Sequence, residues 1–167
     1  MVVVRLLIEK IELLYFDIIV SEIYQMKVQV KIVKTQQEKA SVLSIRREVF
    51  IKGLNIPENI EIDANEDKAT YVLAIVDGQS VGTARWRKTD VGIKLERFAV
   101  LDAYQSNGVG KKMTIFILNH LDQSVLIYLH AQESAIGFYE KLGFESTGSK
   151  FEEANIVHQK MIYPRGE

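Results

Sequence analysis

Cysteine is absent from these 167 residues. That excludes disulfides, thiolate metal sites and a cysteine nucleophile, and leaves the cytoplasm as the default location. Proline occurs only twice, and no low-complexity tract, internal repeat or interdomain linker breaks the chain. The three histidines, His120, His130 and His158, are too scattered to read as a zinc set. An excess of charge is missing as well. The formal net charge is −1, so nothing draws the chain nonspecifically to nucleic acid or to a membrane surface.

An unbroken apolar run is also lacking. The opening stretch MVVVRLLIEKIELLYFDIIVSEIYQ is rich in aliphatic residues, but Arg5, Glu9, Lys10, Glu12, Asp17 and Glu22 interrupt it. A membrane span needs roughly 20 mostly apolar residues, and a signal peptide needs a clean core and a small-residue cleavage site. Residues 1–26 are expected to form an amphipathic helical extension that packs on the domain or on a second copy of the chain. A natural start at Met26 is the alternative.

What is present fits one domain, 27–165, of ordinary balance: 47% hydrophobic and 26% charged residues. VQVKIV (28–33) alternates as a strand. TQQE (35–38) is a capping box, with Thr35 at the N-cap and Glu38 three residues on, and predicts a helix to about Lys52. A polar loop spans 53–67. TYVLAIVD (70–77), the hairpin signal Asp77-Gly78, SVGTARWRK (80–88) and GIKLERFAVL (92–101) form an antiparallel meander. A helix runs to about Leu121, a strand over 124–131, a helix over 133–143 closed by Gly143, and a strand pair over 144–153 and 155–163. The order β-α-β-β-β-α-β-α-β-β implies a mixed α/β domain around one sheet.

Between the third meander strand and the next helix lies QSNGVGKK (105–112). It fails the Walker pattern, because the first glycine is missing and Lys112 follows Lys111. It fails the dinucleotide fingerprint too, because Met113 stands where a third glycine belongs. What remains is physical. Gly108 and Gly110 let the backbone approach a ligand, the helix N-terminus offers free N–H groups, and two lysines add charge. A pyrophosphate suits that seat; a plain turn is the bland alternative.

LERFAVLDAYQSNGVGKKM resembles motif A of the GNAT superfamily of N-acetyltransferases, whose loop reads Q/R-x-x-G-x-G/A. Gln105, Gly108 and Gly110 match it. LIYLHAQESAIGFYEKLGFESTG resembles the motif B region, with Phe138, Tyr139, Gly143 and Phe144 at the matching spacing. RREVF (46–50), Glu61, Asp63, GTAR (82–85), HAQ (130–132) and I-V-H-x-x-M (156–161) are most similar to the small bacterial YjcF-like and ElaA-like group. The resemblance covers about Lys27 to Tyr163. It implies a GNAT-like fold, α/β (α+β), with a mostly antiparallel sheet flanked by helices.

It also implies acetyl-CoA as donor and an amine of a small molecule or peptide as acceptor. The backbone of Phe98, Ala99 and Val100 would pair with the pantetheine arm. Gln105, Ser106, Asn107, Gly108, Val109, Gly110 and Lys111 would hold the pyrophosphate, and Tyr139 would protonate the leaving thiolate. An attacking amine has to be neutral, and a lysine-like amine has a pKa near ~10.4, so a base is useful. Glu96 is the candidate: alternation puts it on one face with Phe98, and Leu95 with Arg97 on the other. It is equally placed to pair with Arg85 or Arg97. His130 is a second candidate, as base or substrate contact, or a satisfied structural histidine. Glu61 and Asp63 are candidate contacts for a cationic acceptor, or a solvated acidic loop with which one of Arg46 and Arg47 pairs. Glu153 and His158 are further acceptor-side candidates. Tyr71 stands where the group has a histidine. A non-catalytic acyl-CoA-binding module remains the alternative function. An interaction protein working through residues 1–25 is a third reading, and a homodimer is left open.

Overall fold

The computed structural model describes residues 26–164; the expected N-terminal extension, apart from residue 26, and the expected end of the domain at residue 165 lie outside that range. The described chain folds around one eight-stranded sheet in the order β1-β2-β3-β4-β5-β8-β6, with β7 also on β8. The strands are β1 Val28–Ile32, β2 Thr70–Val76, β3 Gln79–Thr89, β4 Gly92–Val100, β5 Ile127–Gln132, β6 Glu145–Ser146, β7 Phe151–Glu153 and β8 Ile156–Tyr163. Every pairing is antiparallel except β4 with β5.

Local chemistry sets most element ends. Helix α1, Gln36–Arg46, starts at the expected capping box. The Glu38 N–H donates to Thr35 Oγ1 at 3.2 Å, and the Thr35 N–H to Glu38 Oε2 at 3.0 Å. The helix continues as a wider π-helical stretch, Arg47–Gly53. The polar loop that follows contains a short helix α2, Glu58–Glu61, which its polarity concealed. Asp77 and Gly78 both take left-handed backbone (φ 48° and 80°), as a two-residue hairpin turn demands.

Helix α3, Val109–His120, and helix α4, Ile136–Glu140, lie beyond the meander. β5 begins three residues later than its apolar run suggests, because Asp122 folds a turn back onto the N–H groups of Ser124 and Val125. The first arm of the final pair is split into β6 and β7, with Gly148 left-handed between them.

The sheet buries two clusters. Val72, Ala74, Leu95, Ile127, Leu129 and Met161 pack with Val109, Met113 and Ile117 of α3. Leu73, Tyr71 and Ala99 pack with Val42 and Ile45 of α1 on the opposite face. β2 and β4 thus serve a helix layer on either side.

Candidate active site

Two irregularities in β4 shape the site. At its start β4 is pinned to the chain entering β5. The Ile93 N–H donates to Leu126 O at 2.8 Å, and a Cβ on Gly92 (φ 153°) would meet that same oxygen at 2.2 Å. The parallel pairing then covers only Ile93–Ile127, Lys94–Tyr128 and Leu95–Leu129. Beyond Leu95 the two strands part, and the outer edge of Glu96 to Val100 has no strand partner among the described residues, while its inner edge still pairs with Gly82 and Thr83 of β3.

The second irregularity is a bulge. Arg85 opposes Glu96 but Thr83 opposes Ala99, so β4 carries one extra residue there, and Arg97 takes φ 60°. This overturns the alternation expected of a regular strand. Leu95 and Phe98 face the α3 cluster, whereas Glu96 and Arg97 both turn to the opposite face.

The loop after β4 narrows the expected phosphate contacts. The Gln105 N–H donates to Asp102 O, and its side-chain amide to Val100 O (3.1 Å) and Asp102 Oδ1 (2.9 Å), so Gln105 ties the loop to the strand end. The backbone N–H groups from Ser106 to Lys111 have no backbone acceptor among the described residues. Ser106 and Gly108 are left-handed (φ 61° and 76°), and a Cβ on Gly108 would meet nothing within 4 Å. Here the backbone is open to an anion. Gly110 serves packing: a Cβ there would stand 3.3 Å from the Phe138 ring. Val109 is buried and anchors α3 in the core, while Lys111 and Lys112 are exposed.

Tyr139 is only 7% exposed and meets Phe98 edge-on, ring centroids 5.9 Å apart, with Phe138 and Phe144 on its other sides. Tyr139 thus packs α4 on the sheet, and Phe138 lies outside, against α3. Burial raises the Tyr139 hydroxyl above the usual tyrosine range, which keeps it protonated. This hydroxyl makes no hydrogen bond among the described residues.

On the other face of the parted strands the charges are matched. Arg46 donates to Glu61 Oε1 (2.5 Å) and Glu66 Oε1 (2.9 Å). Arg85 donates to Asp63 Oδ2 (2.6 Å), Glu66 Oε1 (2.8 Å) and Glu96 Oε1 (3.0 Å). Arg97 reaches Glu61 Oε2 (2.9 Å) and Asp63 Oδ2 (3.3 Å), and Arg87 reaches Glu96 Oε1 (2.8 Å). The Tyr71 hydroxyl donates to Glu66 Oε2 at 2.6 Å. Burial pushes Asp63 and Glu66 upward, yet Arg85 and Arg46 outweigh it and hold both below the usual carboxylate range. At Glu61 burial outweighs Arg97 and Arg46, and that carboxyl lies above the range.

These contacts correct two expectations. Glu61 and Asp63 are not free acids waiting for a cation: arginines already occupy them. Glu96 has Arg85, Arg87 and, at 3.7 Å, Lys94 around it, so its carboxylate oxygens are already taken up by cations. Glu66 and the central position of Arg85 were not legible in the sequence; a carboxylate spaced three residues from Asp63 was the sole trace. His130 lies across the parting, with Nδ1 3.2 Å from Glu153.

The sheet opens between two parallel strands, beside a helix N-terminus with bare N–H groups, and the chain is of the acyltransferase class. The chain matches the acetyltransferase (GNAT) domain over residues 30–164 and belongs to that family. Acetyl-CoA-dependent N-acetylation is the general activity of the family. The chain is 33% identical over 138 residues to the uncharacterised N-acetyltransferase YjcF of Bacillus subtilis, covering 78% of this chain and 96% of that one. The crystal structure of Escherichia coli ElaA superposes with a TM-score of 0.74 at 21% identity, covering 83% of this chain and all 100% of that one. An acyl-CoA N-acyltransferase from Pseudomonas aeruginosa gives 0.73 at 20% identity, with the same shares of 83% and 100%.

Proposed function

We propose that this acyltransferase moves the acetyl group of acetyl-CoA to an amine of a small molecule or peptide, by direct attack while both substrates are bound. The observation that carries the reading is the parting of β4 from β5 after Leu95 and Leu129, next to the bare N–H groups of Ser106 to Lys111. The free edge of Phe98, Ala99 and Val100 can pair with the amide-bearing arm of the donor. The loop and Lys111 suit its pyrophosphate. Tyr139 gives a proton to the departing thiolate in this reading, which its burial against Phe98 and its retained proton support. Holding the amine and the thioester in one slot supplies much of the rate. The domain is taken as residues 27–165.

The test is calorimetric titration of the full chain with acetyl-CoA, with ATP and NAD as controls, followed by thiol release with a panel of amines. Binding of acetyl-CoA alone, with thiol release dependent on an amine, is expected. Absence of acetyl-CoA binding sinks the reading. The matched charges around Glu61, Asp63 and Glu96 favour a second reading, a non-catalytic acyl-CoA-binding module. It predicts acetyl-CoA binding without thiol release for any amine.

A further inference from the structure

We propose that His130, held by Glu153, is the base that takes the proton of the acceptor amine. The inference deepens the acetyltransferase reading and rests on it. Leu95 and Leu129 are the last paired residues of β4 and β5, and the next residue on each strand is Glu96 and His130. Both therefore flank the point where the sheet opens. Ile127, Leu129 and Ala131 are buried in the α3 cluster, so Tyr128 and His130 occupy the opposite face, where Glu96 also lies. Of the two, Glu96 is engaged by Arg85 and Arg87. His130 has the Glu153 carboxylate as its one ion-pair partner among the described residues.

Its surroundings fix the ring. Nδ1 lies 3.2 and 3.4 Å from the two carboxylate oxygens of Glu153. Phe151 stands edge-on to the imidazole with centroids 4.8 Å apart, and Tyr128 lies 6.0 Å away. Phe151 and Glu153 both come from β7, a strand of three residues. Nε2 has no hydrogen bond among the described residues, and the His130 side chain is 21% exposed. One nitrogen is thus anchored to a carboxylate and the other is presented, the arrangement an orienting acid gives a catalytic imidazole.

The other charged and titratable groups around the ring come from two further strands, β8 and β4. Lys160 of β8 lies opposite His130 in register, its ammonium 5.0 Å over the Tyr128 ring. His158 of β8 stacks on Phe151 and binds Ile156 O through its own Nδ1. Lys94 is on β4. The hydrogen bond from His130, with Lys94 and His158 behind it, holds Glu153 at about 2 against its burial. The carboxylate is ionised at any assay pH and contributes no titration of its own.

The proton balance closes. As the amine nitrogen bonds to the acetyl carbon, its proton passes to Nε2. The carbon–sulfur bond breaks, the thiolate takes the Tyr139 proton, and solvent returns the imidazolium proton to the phenolate. Glu153 is a positioning residue, because it acts through the ring.

The experiment uses the full chain with spermidine, glucosamine and glycinamide as acceptors, following thiol release against pH, and calorimetry with acetyl-CoA. His130→Ala is expected to lower kcat by about 10²–10³-fold. It should keep acetyl-CoA affinity, lose the acid limb of the profile, and regain rate when free imidazole is added. Glu153→Gln should lower kcat by about tenfold at unchanged amine KM, with Glu153→Asp retaining more. A His130→Ala variant that folds, keeps kcat within about twofold and keeps the acid limb overturns the proposal. So does a slow variant that imidazole cannot rescue. Wild-type chain that binds no acetyl-CoA overturns the acetyltransferase reading itself, and that result is distinguishable from either of these.

Discussion

The two faces of the opened sheet are built on different principles. On the α3 side the parts lie close together in the chain: β4, the loop 105–108 and α3 follow one another, and the packing is apolar, with Phe98 against Tyr139. On the α1 side the parts come from far apart. Arg46, Glu61, Glu66, Arg85 and Arg97 form one continuous hydrogen-bonded network in which Arg46 and Arg85 are fully buried. The first face presents unpaired backbone to a ligand. The second spends its side chains on one another. The α1-side network anchors the bulge, because Arg97 also donates to the Ile60 and Glu61 carbonyls, and the bulge aims Phe98 at Tyr139. The charged face therefore shapes the apolar one.

If that dependence is right, the largest effect comes from the network. Arg85→Ala leaves Asp63, Glu66 and Glu96 without their shared cation and should cost about 3–5 kcal/mol, read as a lowered urea midpoint. A loss below about 1 kcal/mol would mean that the cluster is a solvated surface. Next comes the loop. Gly108→Val forces a branched residue into left-handed backbone, at roughly 1–2 kcal/mol, and should also weaken acetyl-CoA binding by more than about tenfold. Unchanged affinity would detach the loop from the donor.

Tyr139→Phe keeps the ring against Phe98 and removes only the hydroxyl. Turnover should fall by about tenfold or more with acetyl-CoA affinity unchanged; equal turnover would leave Tyr139 as packing alone. Thr35→Ala should be the mildest, about 1 kcal/mol from the lost cap, with no change in either binding or turnover.

Acid separates the faces as well. Asp63 and Glu66 have lowered folded pKa values, so their stabilisation is complete at neutral pH. It is lost as the pH falls from the ordinary carboxylate value of about 4 through their folded values. Glu61, raised by burial, works in the opposite sense. Glu66→Gln should flatten the fall in stability below about pH 4. An unchanged acid-unfolding curve would show that the network contributes nothing to it.

The capping box at Thr35, the hairpin at Asp77-Gly78, the meander and the glycine loop were legible because each depends on residues a few positions apart. The register break in β4 was not. LERFAV alternates acceptably, and nothing in it announces that Arg97 is left-handed. That outcome depends on Glu61 and Asp63, more than 30 residues upstream. The acidic loop showed its charges and Arg46 as one of two possible partners, but not Arg85 or Arg97. For Glu96 the sequence offered both a base and a partner of Arg85, and only the folded sheet shows the pairing.

What residue order fixed here is the succession of elements, the caps and turns, the family pattern and the loop before α3. All follow from backbone preferences and hydrogen bonds of short range. Which carboxylates are spoken for, which imidazole nitrogen is left open, and where β4 leaves β5 depend on groups from distant segments competing for the same space and charge. Burial strengthens those pairings, and burial exists only once α1, the acidic loop and the sheet have come together.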